Sequence, residues 1–297
     1  MTDDVLAEVI AMLRDNPIDF TQPPESTRPA FEALFAGIPS PENVRFEEAN
    51  VGGVHGIWCR PPEAPSGRAI IYLHGGGYVI GSSAAYAALA GALALETGLN
   101  VFVPEYRLAP EHPYPAGPDD VFAVYKGLAD QGNTPVAVVG DSAGGGLVMT
   151  LLLQIRSAGM TQPGSAVLWS PWLNLHCDSH SYAANKAVDP TLTPEGLFAC
   201  AAHYVGTQVP DDPMLRPLEA DLSGLAPLLV QVGSVEVLLD DSTALATKAA
   251  NAGVHTRLEV YPKMPHVFQA FGGMLSDGAK ALKRSADFIL AAAAGGA

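Results

Sequence analysis

A succession of short apolar runs, most of them leading into a segment with helical character, sets the tightest limit on what this chain can fold into. "AIIYLH" precedes an Ala-rich stretch from Ala84 to Glu96, "NVFVPEY" a helix near Asp119 to Leu128, and "VAVVG" one from about Gly144 to Ser157. "LLVQVG" leads to a helix near Asp241 to Ala252, and "TRLEVY" to a C-terminal helix from about Asp277 to Ala294. "SAVLWS" opens a long connection instead. Apolar strands alternating with helices imply a mostly parallel sheet covered on both faces, because each parallel return needs a crossover. Ahead of them "VRFEEA" and "VHGIWCR" alternate as antiparallel strands do, with a turn from Asn50 to Gly53, which adds a mixed edge.

Two segments break this rhythm. Residues 1–42 hold an amphipathic stretch from Asp4 to Arg14 and then "NPIDFTQPPESTRP", read as a helical arm and a Pro-rich connection. Residues 176–212 show no clear strand and read as a helical insertion, which with the arm would cover one end of the sheet. That leaves 43–175 and 213–297 as the two parts of one core, and the terminal "AAAAGGA" as a frayed end.

The hydrophobic fraction of 48% can fill a large core. With 16 Lys+Arg against 31 Asp+Glu the formal charge is −15, which repels nucleic acid. The N-terminus "MTDDVLAEVIAML" carries acids where a secretory signal needs bases. Cys59, Cys177 and Cys200 are odd in number and widely spaced, as reduced thiols in the cytoplasm would be. The uncharged run from Gly75 to Leu95 begins "GGGYVIGSS", too rich in Gly and Ser for a membrane span.

Within "VVGDSAGGG", Gly140 to Gly144 match G-x-S-x-G between a strand and a helix. The small residues let the turn close, and Ser142 is lifted to the positive end of the following helix. His74-Gly75-Gly76-Gly77 follows "AIIYL"; a glycine loop can bring backbone N–H groups onto a developing oxyanion, and Ala143 after the Ser adds another. No G-x-x-x-x-G-K-[ST] or G-x-G-x-x-G is present, which disfavours nucleotide binding, and His74 reads as a brace for the loop.

A Ser hydroxyl needs a base. Of the eight histidines, His266 in "YPKMPHVFQAF" lies between the last strand and the last helix, at the sheet end where Ser142 should sit. The acid should follow "LLVQVG", where Glu236, Asp240 and Asp241 are the candidates. Glu236 stands at the strand exit, whereas Asp240 and Asp241 fall where the next helix begins and suit capping. The order Ser142, Glu236, His266 is nucleophile, acid, base.

HGGG followed by an aromatic, "YRLAPEHPYPA", "GDSAGG" and "SPWLNL", between about Arg68 and Phe271, together resemble the hormone-sensitive-lipase-like family of bacterial carboxylesterases. The resemblance implies an α/β-hydrolase fold with an eight-stranded sheet and a helical cap, and hydrolysis of short acyl esters without a cofactor. It implies Gly76, Gly77 and Ala143 as oxyanion donors, Ser142 as nucleophile and His266 as base, and it suggests a homodimer. One departure concerns the acid: the family has Asp-Pro-Leu there, whereas this chain has Glu236-Val237-Leu238. Tyr78 could touch substrate, and Trp172, Phe198, His203 and Tyr204 either line the pocket or form cap core. "HCDSH" at 176–180 lacks the further ligands a structural metal needs, so no metal is expected. The same machinery could serve a lactone or an amide, and a silent fold that binds a small ligand would not need the whole Ser-acid-His set.

Overall fold

The computed structural model describes residues 2–206 and 210–295. The strands are β1 (Arg45–Val51), β2 (Val54–Arg60), β3 (Arg68–Leu73), β4 (Asn100–Pro104), β5 (Thr134–Asp141), β6 (Ser165–Trp169), β7 (Leu228–Gly233) and β8 (Thr256–Tyr261). They form one eight-stranded sheet in the order β1-β2-β4-β3-β5-β6-β7-β8. The contacts of β2 with β1 and with β4 are antiparallel and the rest parallel, so the hairpin supplies the mixed edge. Burial follows position: β4, β6 and β7 are buried at every residue, as strands covered on both faces must be, while the edge strand β8 is partly exposed along its length.

The helices are α1 (Thr2–Asp15), α2 (Pro24–Ala36), α3 (Ser83–Thr97), α4 (Ala116–Asp130), α5 (Ala143–Ser157), α6 (His180–Ala184), α7 (Pro194–Val205), α8 (Leu239–Asn251) and α9 (Ser276–Ala293). Helix α3 packs on α9 and α4 on α5, which gives the sheet its two helical layers. Caps fix several ends. The Ser82 hydroxyl accepts from Ala85 N, Gly98 closes α3 in the left-handed region, and Thr193 accepts from Gly196 N with Pro194 in the first turn of α7.

The stretch expected to be a Pro-rich connection contains a helix instead. In α2, Pro24 occupies the first turn, where no intrahelical N–H is needed, but Pro29 lies inside the helix. Tertiary contacts hold it: Arg28 donates to the carbonyls of Val79 and Ala109 and pairs with Glu111, and Ser82 donates to Glu32 at 2.9 Å. Helix α1 buries Leu6, Val9 and Leu13, spaced along one face, against Met264, Phe268 and Leu275. The inserted segment 176–212 holds α6 and α7, and its residues 207–209 lie outside the described residues, as do 296 and 297 of the terminal Ala-Gly run. Among the described residues no helix is long and apolar enough to cross a membrane. All three cysteines are unpaired.

From β3 the chain steps outward to β4 and then returns past β3 to β5, so the strand order reverses between β3 and β5. Loops leaving two such strands diverge and open a crevice at their carboxyl ends. The loop after β3 is His74–Gly77 and the turn after β5 carries Ser142.

Close approach at this point depends on Gly144, where a Cβ would collide with the backbone carbonyl of Leu73. Gly144→Ala should therefore cost about 1–3 kcal/mol or more in urea unfolding. Gly273→Ala, with nothing near its would-be Cβ, should stay within about 0.5 kcal/mol of the parent.

Candidate active site

Ser142 stands between β5 and α5 with φ 52° and ψ −122°, a backbone state that side-chain-bearing residues rarely adopt. It is held there from both sides: its N–H donates to Trp169 O, and its carbonyl accepts from Trp172 N, both at 2.9 Å. Its side chain makes no capping bond to α5, so the hydroxyl is not consumed by the helix it precedes.

The loop after β3 is tied to this turn through Asp141. That carboxylate is buried and accepts from Tyr72 OH at 2.8 Å, Gly75 N at 3.1 Å and Tyr86 OH at 3.1 Å. Burial pushes its pKa up to about 6, against the pull of those donors. Gly75 has no room for a Cβ, which would collide with Asp141 and crowd Ser142. Gly76 and Gly77 follow at φ 112° and 62°. Among the described residues, none accepts a hydrogen bond from the backbone N–H of Gly76, Gly77 or Ala143. His74 lies behind the loop, its ring stacked 4.2 Å from Tyr106 and its pKa lowered by burial.

Glu236 and His266 meet on the other side. Glu236 leaves the end of β7 fully buried, and its Oε2 lies 2.8 Å from His266 Nδ1. Its Oε1 accepts from Gly233 N and from the Ser170 hydroxyl, 2.7 Å away. Ser170 Oγ in turn accepts from Val267 N, so one hydroxyl joins Glu236 to the loop that carries His266. With Glu236 accepting at Nδ1, the neutral imidazole keeps its Nε2 lone pair free. Burial of the ring disfavours its charge, and the Glu236 carboxylate, with Asp189 and Asp141 adding to it, more than offsets that, so the His266 pKa is raised.

Ser142, His266, Gly76 and Gly77 line a single cavity of about 470 Å³. A family model described as alpha/beta hydrolase fold matches residues 70–270. An acetyl-hydrolase of Streptomyces hygroscopicus is 39% identical over 241 residues, 80% of each chain. An esterase of Acinetobacter venetianus is 36% identical over 268 residues, 89% of this chain and 88% of that one. A crystal structure of an esterase from the bacterial hormone-sensitive lipase family superposes with a TM-score of 0.92 at 39% identity, covering 96% of this chain and 97% of that one. The chain belongs to the α/β-hydrolases, among the hormone-sensitive-lipase-like esterases.

The esterase places several expected residues elsewhere. Tyr78, Trp172, His203 and Tyr204 do not line the cavity. Tyr78 and Tyr204 stack at 3.9 Å and 7°, and Trp172 packs on Tyr78 and is fully buried, so the aromatic group seats the inserted segment on the core. Phe198 is exposed. Tyr78 is turned away by its own backbone, at φ 65° directly after the glycines. Among the described residues no group of His, Cys, Asp or Glu converges as a metal site requires.

Asp240 and Asp241 make no bond to His266 and do not serve their own helix as caps. Asp240 accepts from Ser181 N in α6, and Asp241 accepts from Leu173 N, Asn174 N and Tyr182 OH. The roles of Asp141, Ser170 and Asn185, which donates to Glu236 O at 2.7 Å, were not read from the sequence. The one available signal was an acid inside an otherwise apolar run, "VAVVGDSAGGG", which demands buried donors.

Burial pushes the Asp241 pKa up to about 7. A carboxyl that binds its proton more tightly folded than unfolded stabilises the fold below its unfolded pKa, near 3.9, and loses that contribution as pH rises toward 7. Asp241→Asn lacks this titration. Its stability relative to the parent should rise by on the order of 4 kcal/mol between pH 4 and 8 in urea unfolding; a gap independent of pH would contradict the assignment.

Proposed function

We propose that the protein is a serine carboxylesterase in which Ser142, His266 and Glu236 act as nucleophile, base and acid on acyl esters, short-chain ones included. The observation that carries this reading is the buried Glu236–His266 pair at 2.8 Å, opening on the same cavity as the strained Ser142 turn. The Ser142 oxygen attacks the acyl carbon while His266 Nε2 takes its proton. The C–O π electrons move onto the carbonyl oxygen, which the Gly76, Gly77 and Ala143 N–H groups receive. Collapse expels the alkoxide, which takes the proton from His266 and leaves as the alcohol, and the acyl group stays on Ser142. Water, deprotonated by His266, then attacks the acyl carbon; the acyl–Ser142 bond breaks, Ser142 takes the proton back from His266, and the acid leaves. Glu236 fixes the imidazole tautomer and stabilises the imidazolium, a task its extra methylene relative to Asp does not impair, because Gly233 N and Ser170 hold its other oxygen.

Ser142→Ala should lower kcat for p-nitrophenyl butyrate by about 10⁴-fold or more and abolish labelling by an alkyl phosphonate. Turnover within about tenfold of the parent would overturn the assignment.

Only neutral His266 accepts a proton, so its raised pKa puts the acid limb of kcat/KM above that of an ordinary imidazole. Glu236→Gln removes the main cause that raises that pKa and leaves burial, which lowers it, opposed only by the lesser pull of Asp189 and Asp141. The limb should move to lower pH, on a plateau reduced by on the order of 10³–10⁴-fold. An unmoved limb would remove Glu236 from the site.

A further inference from the structure

The cavity that holds Ser142 does not end there. Its inner end is marked by Tyr86, whose hydroxyl bonds Asp141 beside Ser142, and from there α3 presents Ala88, Leu89, Ala92 and finally Glu96. At 1.5 Å per residue, Tyr86 to Glu96 is about 15 Å along the helix axis. The facing walls come from α2 and from the region of the 3₁₀ turn Phe268–Phe271 and α9, through side chains such as Phe31, Phe35, Met274 and Leu282. Between Ser142 and Glu96 this channel is walled mostly by apolar side chains, with Asp141, Thr191 and Gln269 as the polar exceptions. Phe35 stacks on Tyr86 at 4.3 Å, and α2 is fastened by Glu32 to Ser82 and by Arg28 to Glu111.

The face of α3 turned to the channel carries alanines where a larger residue would fill it. An acetyl or butyryl group on Ser142 would occupy only the inner end and leave most of the apolar wall without a partner.

We propose that the channel seats one linear aliphatic chain of the ester, about eight to twelve carbons long, running from the carbonyl at Ser142 along α3 toward Glu96. The substrate class is then an ester of a medium-chain fatty acid or fatty alcohol. This rests on the reading of Ser142 as nucleophile and goes beyond it, because the chemistry at Ser142 is indifferent to what lies along α3. Each methylene seated in the channel should raise kcat/KM by up to about fourfold until the channel is filled.

The test uses the full chain, below the critical micelle concentration, with two substrate series: p-nitrophenyl esters from acetate to dodecanoate, and alkyl acetates from ethyl to dodecyl. In at least one series kcat/KM should climb to a maximum at about eight carbons or more, and the series that climbs identifies whether the acyl or the alcohol chain enters. Ala92→Phe, which closes the channel part-way, should lower the decyl-to-ethyl or decanoate-to-acetate ratio of kcat/KM by at least about tenfold. Ala92→Leu should lower it less, and it serves if the larger residue prevents folding. A maximum at four carbons or fewer in both series, or a ratio unmoved by both substitutions, would overturn the proposal. Loss of the long-chain preference with Ser142→Ala inactive would leave the esterase reading standing, whereas turnover by Ser142→Ala would strike at that reading itself.

Discussion

Burying a carboxylate costs several kcal/mol unless donors surround it, and this protein buries a set of them along the carboxyl end of its sheet. Asp141, Asp189, Glu236 and Asp241 are all buried, and each takes hydrogen bonds from a segment other than its own. Asp141, at the end of β5, holds Gly75 after β3. Glu236, after β7, holds Ser170 after β6 and His266 after β8. Asp241 holds the backbone of Leu173 and Asn174, and Asp189 in the inserted segment reaches Val237. Loops from different strands are thus bound to one another by groups that cannot be left unpaired. The sheet brings the loops near; the carboxylates fix how they meet.

These groups do not share one electrostatic state. Burial raises the pKa of Asp141 to about 6 and that of Asp241 to about 7, each opposed by its donors. The cation to which a negative charge matters is His266, raised by Glu236, with Asp189 and Asp141 acting in the same direction at longer range. Asp141 therefore has two effects: it sets the backbone of the glycine loop through Gly75, and it adds to the field at the imidazole. A neutral side chain of the same shape would keep only the first.

What could be read from the sequence was whatever depends on local chemistry. Apolar runs gave the strands because a strand covered on both faces has no polar side to show. The Ser142 turn was legible because so few residues tolerate it. That His266 and Glu236 meet was legible from chain order, since each had to leave the same end of the sheet. The helix α2 was not legible: Pro29 argues locally against it, and its support comes from Val79, Ala109 and Glu111, far away in the chain. Asp240 and Asp241 looked like caps for the helix they begin, but their partners lie about sixty residues earlier. Tyr78 looked like a substrate contact because it follows the glycines, and the positive φ that turns it inward has no signature in a Tyr.

The N-terminal arm is the part of the molecule where shape and chemistry are hardest to separate. Helix α1 packs Leu6, Val9 and Leu13 on Met264 and Phe268, the residues that flank His266 in sequence, while Leu13 and Met12 also line the cavity. A Cβ at Gly233, beside the Glu236 side chain, would collide with the carbonyl of Met264, so the loop bearing His266 and the turn bearing Glu236 are already in contact. One apolar cluster therefore supports both the chamber wall and the loop of His266. A close-packed interior transmits a volume change to its neighbours rather than absorbing it. Enlarging a side chain on the inner face of α1 therefore presses on the loop of His266 as well as on the wall, and the arm cannot vary freely as a detachable lid would.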